Sequence, residues 1–323
     1  MRTLVPRSMS RRLAGAGIAA AAGLSLLLGL PSLRPVLEQL RDASPGWIAI
    51  AALLELASCL SFVLVFRLCF DRIGATDARR VAWTSMATGV LLPGGGVTGL
   101  ACAGWLMHRA GAPARWIARR SSALFFVTSA CNVLALGVAA AVLLASPAGP
   151  HDFARAWLPL LATAAMVAMV VALPARPNRG RRPSRIGWAA DLLAGIGDAG
   201  RELARPGWRL LGAVGWLGFD IAVLWATFSA LGAAPTPAAL VLGYLLGYLA
   251  NVVPVPAGVG VLDGGLTAAL VIYGAPATHA AAAVLLYHAI AFWLPSLGGL
   301  VAFAGLRRET RVALPLGAAV ARA

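Results

Sequence analysis

Long apolar stretches dominate this sequence and constrain its fold more than any other feature. A helix needs roughly 20 mostly apolar residues to cross the hydrocarbon core of a bilayer. No segment between the stretches is long enough for a separate soluble domain, so the sequence predicts an all-α polytopic membrane protein in which residues 1–323 form one transmembrane domain. The six stretches of sufficient length lie at about 13–30, 46–70, 117–145, 155–174, 205–232 and 280–306.

Composition supports a lipid environment. Hydrophobic residues make up 60% of the chain and charged residues 12%, with a mean hydropathy of +0.81, so lipid must cover much of the apolar surface. The net charge of +15 comes from arginines in short loops rather than on one soluble face, which excludes nucleic acid as a predicted partner. The four cysteines lack paired spacing and neighbouring histidines, so neither a metal site nor a cofactor is predicted.

Residues 1–30 combine a basic head with an Ala/Leu-rich stretch, as a signal peptide also does. The apolar run is long for a signal peptide, and no clear cleavage pattern follows Leu30. A retained first helix is therefore the favoured interpretation.

Two further apolar regions are interrupted by proline and glycine, at LLPGGGV (91–97) and VVPVPAGVG (252–260). Proline removes a backbone donor and glycine weakens a helix, so both regions are predicted to break there. The freed backbone groups cannot be satisfied by lipid, which places each break inside protein or beside a wet cavity.

The two interruptions belong to a pattern that repeats along the chain. Pro93 is followed by Gly-Ala-Pro at 111–113, and Pro256 is followed at the same separation by Gly-Ala-Pro at 274–276. Both motifs therefore recur at one common offset along the chain. We interpret this as duplication, with repeat 1 around 46–174 and repeat 2 around 205–306; chance recurrence in a chain rich in Gly, Ala and Pro is the alternative.

Arginine distribution predicts the topology, because cytoplasmic loops are enriched in Lys and Arg. All basic clusters fall in the cytoplasm if each interrupted segment enters and leaves on one side, the first from the cytoplasm and the second from the exterior. The clusters are the N-terminus, Arg72 with Arg79 and Arg80, Arg109 with Arg115, Arg119 and Arg120, the run 176–185, and Arg307 with Arg308 and Arg311.

The predicted architecture is therefore about six full spans plus two re-entrant helical hairpins, arranged as an inverted repeat as in many secondary transporters. The chain is expected in the bacterial cytoplasmic (inner) membrane with both termini cytoplasmic. Residues 175–204 are predicted to form a basic cytoplasmic loop followed by an amphipathic helix, which either binds anionic lipid or only anchors the topology.

The motifs LLPGGG, VPVPAGVGVLDGG, YGAP and LLYHAIAFWLPSLGGL resemble the lysylphosphatidylglycerol synthase/flippase transmembrane-region family over roughly residues 45–306. The resemblance implies lipid handling by a stand-alone flippase-like protein, without the aminoacyl-transferring soluble domain of longer members. Three departures stand out: Asp263 replaces the usual Glu, Tyr287-His288 occupies the place of a usual Arg, and 97–107 lacks the usual charges.

Glycines after each break precede half-helices whose free N–H groups and positive dipole end favour an anion such as a lipid phosphate. The alternative is that these glycines only permit a bend or close helix packing. The predicted substrate-binding residues of the two hairpins are Pro93, Gly94, Gly95, Gly96, Pro256, Gly258, Gly260 and Asp263.

Ionisable and aromatic residues inside the spans form a second set of candidates. Asp263 either binds a headgroup amine, takes up a proton in a coupled transport cycle, or only caps its helix. Tyr287, His288 and Trp293 are candidates for gating or proton relay, with a satisfied core histidine as the alternative. Glu55 and Asp220, also inside spans, must be protonated, paired or facing water, and join the gating candidates.

The sequence thus predicts a transporter or flippase for an anionic or aminoacylated phospholipid or a lipid-linked headgroup, with membrane lipids as partners. It predicts no enzyme, because no catalytic group of nucleophile, paired acids or metal ligands is found. A non-transporting scaffold for a lipid-modifying enzyme or glycosyltransferase is the alternative. The oligomeric state is left open, with a homodimer among the alternatives.

Overall fold

The structure is a computed structural model that describes residues 34–146, 152–172, 187–204, 207–232, 234–249 and 260–309. This part of the chain is helical, and no strand occurs within it. Its helices are α1 (Arg34–Arg41), α2 (Pro45–Cys69), α3 (Ala75–Leu91), α4 (Gly95–Arg109), α5 (Ala114–Ala145), α6 (Leu158–Ala172), α7 (Gly187–Ala204), α8 (Leu211–Ala230), α9 (Pro237–Gly247), α10 (Val261–Ile272) and α11 (Ala277–Glu309).

Five of the six predicted segments form helices long and apolar enough to cross a membrane. The predicted segment at 13–30 lies outside the described residues. Large apolar side chains such as Leu53, Val138 and Val301 point outward from these helices, a surface suited to lipid tails and not to water. The five helical stretches are Pro45–Cys69, Ala114–Ala145, Phe153–Val170, Trp208–Ala230 and Ala277–Leu306.

Helices α2 and α8 form the most extensive helix pair in the described part of the chain. At one end the N–H of Ser44 donates to the carbonyl of Ala230 at 2.9 Å, and towards the other the rings of Phe62 and Trp216 lie 5.0 Å apart between centroids. The two helices are therefore antiparallel. A Cβ atom at Gly212 of α8 would lie only 2.6 Å from a carbonyl oxygen of α2, so the backbones nearly touch.

The first interrupted segment breaks where the proline and glycines predict. Helix α3 ends before the motif and α4 begins within it, and Gly94 between them has φ +95°, a left-handed conformation that favours glycine. The two helices fold back on each other so closely that a Cβ at Gly99 would overlap the carbonyl oxygen of Ser85. With 17 and 15 residues, each is roughly 22–26 Å long, short of the ~30 Å hydrocarbon core.

The second interrupted segment is also flanked by two short helices that pack against each other. Helices α9 and α10 have 11 and 12 residues, and a Cβ at Gly247 would lie 2.5 Å from the Cα of Leu266. Helix α10 begins after Gly260, which has φ +86°. The motif itself, including Pro256 and Gly258, lies outside the described residues.

The turns that follow the two helix pairs share one hydrogen-bond pattern. The N–H of Ala112 donates to the carbonyl of Met107 at 3.0 Å, and the N–H of Ala275 donates to that of Leu270 at 3.0 Å. The glycine preceding each alanine has φ +97° in the first turn and +96° in the second. The ends of α4 and α10, and likewise the starts of α5 and α11, are separated along the chain by the same offset as the sequence motifs. The repeated motifs therefore have the same local structure.

The amphipathic helix predicted at the end of 175–204 forms α7, which packs against the beginning of α5. A Cβ at Gly195 would overlap the carbonyl oxygen of Arg119, so the two helices are in close contact. The basic run at 176–185 lies outside the described residues.

Candidate functional site

Asp220, near the middle of α8, is held by tyrosines from two other helices. The O–H of Tyr287 on α11 donates to one carboxylate oxygen at 3.0 Å, and the O–H of Tyr244 on α9 donates to the other. Both rings are buried, with 3% and 4% exposure. These contacts give a carboxylate inside a membrane span the hydrogen bonds that lipid cannot supply.

Glu55 on α2 is the second acid of this cluster. Glu55 is only 5% exposed, and its carboxyl group interacts electrostatically with that of Asp220 across the α2–α8 contact. The Cys59 thiol lies 3.6 Å from one carboxylate oxygen. The other oxygen is buried and has no hydrogen-bond partner within the described residues, so this acid is incompletely satisfied.

Asp263 lies in the first turn of α10 and uses its two oxygens differently. One oxygen accepts from the backbone N–H of Gly260 at 3.1 Å, which caps the helix. The other lies 2.5 Å from Nδ1 of His288 on α11, and each of these side chains is 16% exposed. Asp263 thus caps the helix, as the alternative interpretation holds, but capping uses only one of its two carboxylate oxygens.

Helix α11 connects the two acids, because Tyr287 and His288 are consecutive residues. Side chains of neighbouring helical residues project about 100° apart, so Tyr287 reaches Asp220 while His288 reaches Asp263. The structure therefore connects Asp220 and Asp263, which the sequence identified separately, through two consecutive residues of one helix.

Trp293 is placed elsewhere. It is 59% exposed, and its ring contacts Phe292 with 5.4 Å between centroids. Five residues along a helix correspond to about 500° of rotation, which puts Trp293 roughly 140° around α11 from His288. Its side chain lies on the outer surface of the helix.

A family model for the lysylphosphatidylglycerol synthase transmembrane region matches residues 13–299. The chain belongs to this family. The match confirms the resemblance inferred from the motifs and covers both interrupted segments and all of the acids and tyrosines described above. A search of curated proteins gave no match.

This family assignment identifies a lipid-related membrane domain. In place of the arginine that the resemblance implies, Tyr287 and His288 each contact an acid. Within the described residues, no three His, Cys, Asp or Glu side chains come together as a metal-binding group.

In contrast to the acid cluster, the bend between α3 and α4 carries no charged side chain. The carbonyl of Pro93 accepts from the hydroxyl of Thr98 at 2.5 Å, and Gly94 and Gly95 both have positive φ. A Cβ at Gly96 would meet no atom within 4 Å. The structure thus shows a bend at Gly94 and Gly95 and no close helix contact at Gly96. Anion binding at these glycines stays a prediction.

Sequence reasoning missed Tyr244 and its neighbour Tyr248, whose rings lie 5.1 Å apart. A signal was present. The chain has only four tyrosines, and two of them stand four residues apart in an apolar helix, which places them on one face.

Proposed function

We propose that this protein binds a polar lipid headgroup between two re-entrant hairpins and moves it across the bilayer while the acyl chains stay in the lipid. One observation carries the proposal. Asp220 and Asp263 are joined through consecutive residues of α11 inside an otherwise apolar domain of a lipid-related family. Ionisable residues in such places mark substrate or ion pathways.

The acids favour a headgroup that carries an amine, as an aminoacylated phospholipid does. Asp220 and Asp263 supply negative charge, whereas His288 is the one basic side chain that contacts either of them in the described part of the chain. The lipid phosphate is proposed to lie at the helix starts of the hairpins, as the glycine motifs suggest.

Packing supports the proposed inverted repeat. Helices α2 and α8 occupy equivalent places in the two halves and cross antiparallel, so a two-fold axis relating them is perpendicular to both and lies in the membrane plane. Two further contacts are reciprocal: α11 packs on α3, and α5 packs on α9. This is the pattern that a two-fold relation requires.

Single cysteines at equivalent positions test this topology. The four native cysteines are first replaced, and then Arg109→Cys and Ile272→Cys are made separately; both positions are exposed ends of half-helices. A membrane-impermeant maleimide should label the first only from the cytoplasmic side and the second only from the exterior. Labelling of both from one side contradicts the inverted arrangement, and labelling from the two sides in the opposite order contradicts the proposed cytoplasmic termini.

Glu55, Asp220 and His288 are proposed to gate the pathway and to exchange protons during transport. The unpaired oxygen of Glu55 is best satisfied in a protonated carboxyl, since a charge there costs several kcal/mol. No nucleotide-binding loop of the Gly-rich Lys-Ser/Thr type is found in the sequence. The drive is therefore proposed to be an ion gradient, or transport is downhill.

Reconstituted vesicles test the proposed activity. Loss of lysylphosphatidylglycerol from the outer leaflet is followed with an amine-reactive, impermeant reagent, and wild type is compared with Asp220→Asn. The control is Asp42→Asn, because Asp42 is an exposed acid between α1 and α2. Transport by wild type and control but not by Asp220→Asn is expected, with the lipid chemically unchanged by mass spectrometry; a converted lipid indicates an enzyme instead.

A non-transporting scaffold is the second candidate, favoured by the absence of charged residues from Val97 to Met107 on the first helix pair. A scaffold should show no transport in folded wild-type protein and should tolerate both substitutions equally. Co-purification of a lipid-modifying enzyme with such a protein would favour this second candidate.

A further inference from the structure

An arginine-lined cavity lies away from the acid cluster, between the beginning of α5 and the amphipathic helix α7. Its volume is about 620 Å³. Five arginines line it: Arg72, Arg115, Arg119, Arg120 and Arg201. Asp191, Asp198 and Glu202 are also in the wall, so the lining carries more positive than negative charge.

Asp198 is already fully used in holding α7 to α5. Its oxygens accept from Nε and Nη2 of Arg119 at 2.5 and 2.6 Å and from Arg201, while its side chain is 8% exposed. Burial raises the pKa of Asp198, but the hydrogen bonds and charges of the two arginines outweigh it and hold the pKa below its ordinary value. Asp198 is therefore ionised, and its negative charge is balanced by the two arginines.

Positive charge is left over in the cavity. Arg120 lies 3.3 Å from Asp71 and 3.9 Å from Asp198. Arg72 and Arg115 are exposed and form no ion pair with an acid in the described part of the chain. Arg115 also stands in the first turn of α5, where the helix dipole is unfavourable for a cation and favourable for an anion.

The length and charge of α5 point to a cavity at the depth of lipid headgroups. Helix α5 has 32 residues and is roughly 48 Å long, more than the ~30 Å hydrocarbon core. Its charged residues, Arg115, Arg119 and Arg120, all lie in its first two turns, so this is the end that we expect in the headgroup region. On α7, Leu193 is 59% exposed, an apolar side chain beside a basic site. Arginines combined with an exposed apolar side chain at this depth suit a phospholipid better than a soluble anion.

We propose that this cavity binds the phosphate of an anionic phospholipid from the adjacent leaflet, with Arg72 and Arg115 as its unpaired ligands. A lipid held by these two arginines connects the loop between α2 and α3 to the beginning of α5. The site is separate from the acid cluster of the proposed transport pathway, and its role does not depend on transport.

Native mass spectrometry of the full chain in mild detergent tests the proposal. The probes are phosphatidylglycerol, phosphatidylcholine and inorganic phosphate, added separately and in competition. The variant is Arg72→Gln with Arg115→Gln, and the matched control is Arg41→Gln with Arg79→Gln, which removes the same charge from exposed arginines outside the cavity. Thermal unfolding verifies that all proteins are folded.

Wild type and control should prefer phosphatidylglycerol to phosphatidylcholine, and the cavity variant should bind phosphatidylglycerol about 10- to 30-fold more weakly. Equal binding by cavity variant and control overturns the site. Displacement of phosphatidylglycerol by low-millimolar inorganic phosphate overturns the lipid assignment in favour of a soluble anion. Asp263→Asn should keep this binding whatever its effect on transport, which separates the two proposals.

Discussion

Asp263 provides the sharpest test of the proposed site, because its two oxygens have two separate contacts. One accepts the N–H of Gly260 at 3.1 Å and the other lies 2.5 Å from Nδ1 of His288. Asp263→Asn keeps a carbonyl oxygen for the cap and removes the charge. Asp263→Ala removes both the cap and the contact with His288, so the two variants separate the roles.

The expected stabilities follow from these contacts. Loss of a cap costs about 1 kcal/mol, and loss of a largely buried hydrogen bond to a charged partner costs about 2 kcal/mol. We expect the free energy of unfolding to fall by about 2 kcal/mol in Asp263→Asn and about 3 kcal/mol in Asp263→Ala. If the carboxylate contacts the headgroup, transport is lost in both variants.

Unfolding is followed by tryptophan fluorescence in detergent, and transport is followed in reconstituted vesicles. Asp152→Asn is a matched control, because Asp152 also accepts a backbone N–H, from Arg155 at 2.9 Å. Its other oxygen accepts from the side-chain Nε of Arg155 at 2.5 Å. This control variant should transport as wild type does. Normal transport by Asp263→Asn together with failure of Asp263→Ala would refute our reasoning, since Asp263 would then act only as a cap.

Three further predictions concern other contacts. Tyr287→Phe should lower stability by about 1.5 kcal/mol and reduce transport, because Asp220 loses a donor; Tyr273→Phe, which loses a bond to a backbone carbonyl, should leave transport unchanged. Docking of α7, followed by hydrogen exchange, should be complete above about pH 5 and weaken as pH falls, because the pKa of Asp198 is lowered in the folded state; Asp198→Asn should remove this dependence. Gly99→Ala should cost about 1–3 kcal/mol in thermal unfolding, whereas Gly96→Ala should cost nothing, because only the first added Cβ meets a carbonyl oxygen.

The helices that cross the membrane could be predicted from sequence because their signal is local. Hydropathy over about 20 residues locates α2, α5 and α11 to within a few residues. The break between α3 and α4 is local in the same sense, since proline and left-handed glycine act on their own backbone.

The partners within the site could not be predicted, because they are distant in sequence. Asp220 contacts residues 24 and 67 positions away, and Asp263 contacts a residue 25 positions away. Such pairs depend on how the helices pack, which hydropathy does not specify. His288 and Trp293, both gating candidates, stand five residues apart on α11, so the helical rotation separates their side chains.

The contact between α2 and α8 limits how the proposed transport cycle can proceed. At Gly212 there is no room for even a methyl group between the two backbones. The helices touch through backbone atoms there, so a change of side-chain rotamer cannot loosen this contact. In the proposed transport cycle we expect this pair to stay together, with Glu55 held on α2. We therefore expect opening to either side of the membrane to come from movement of α9 and α10 relative to α2 and α8.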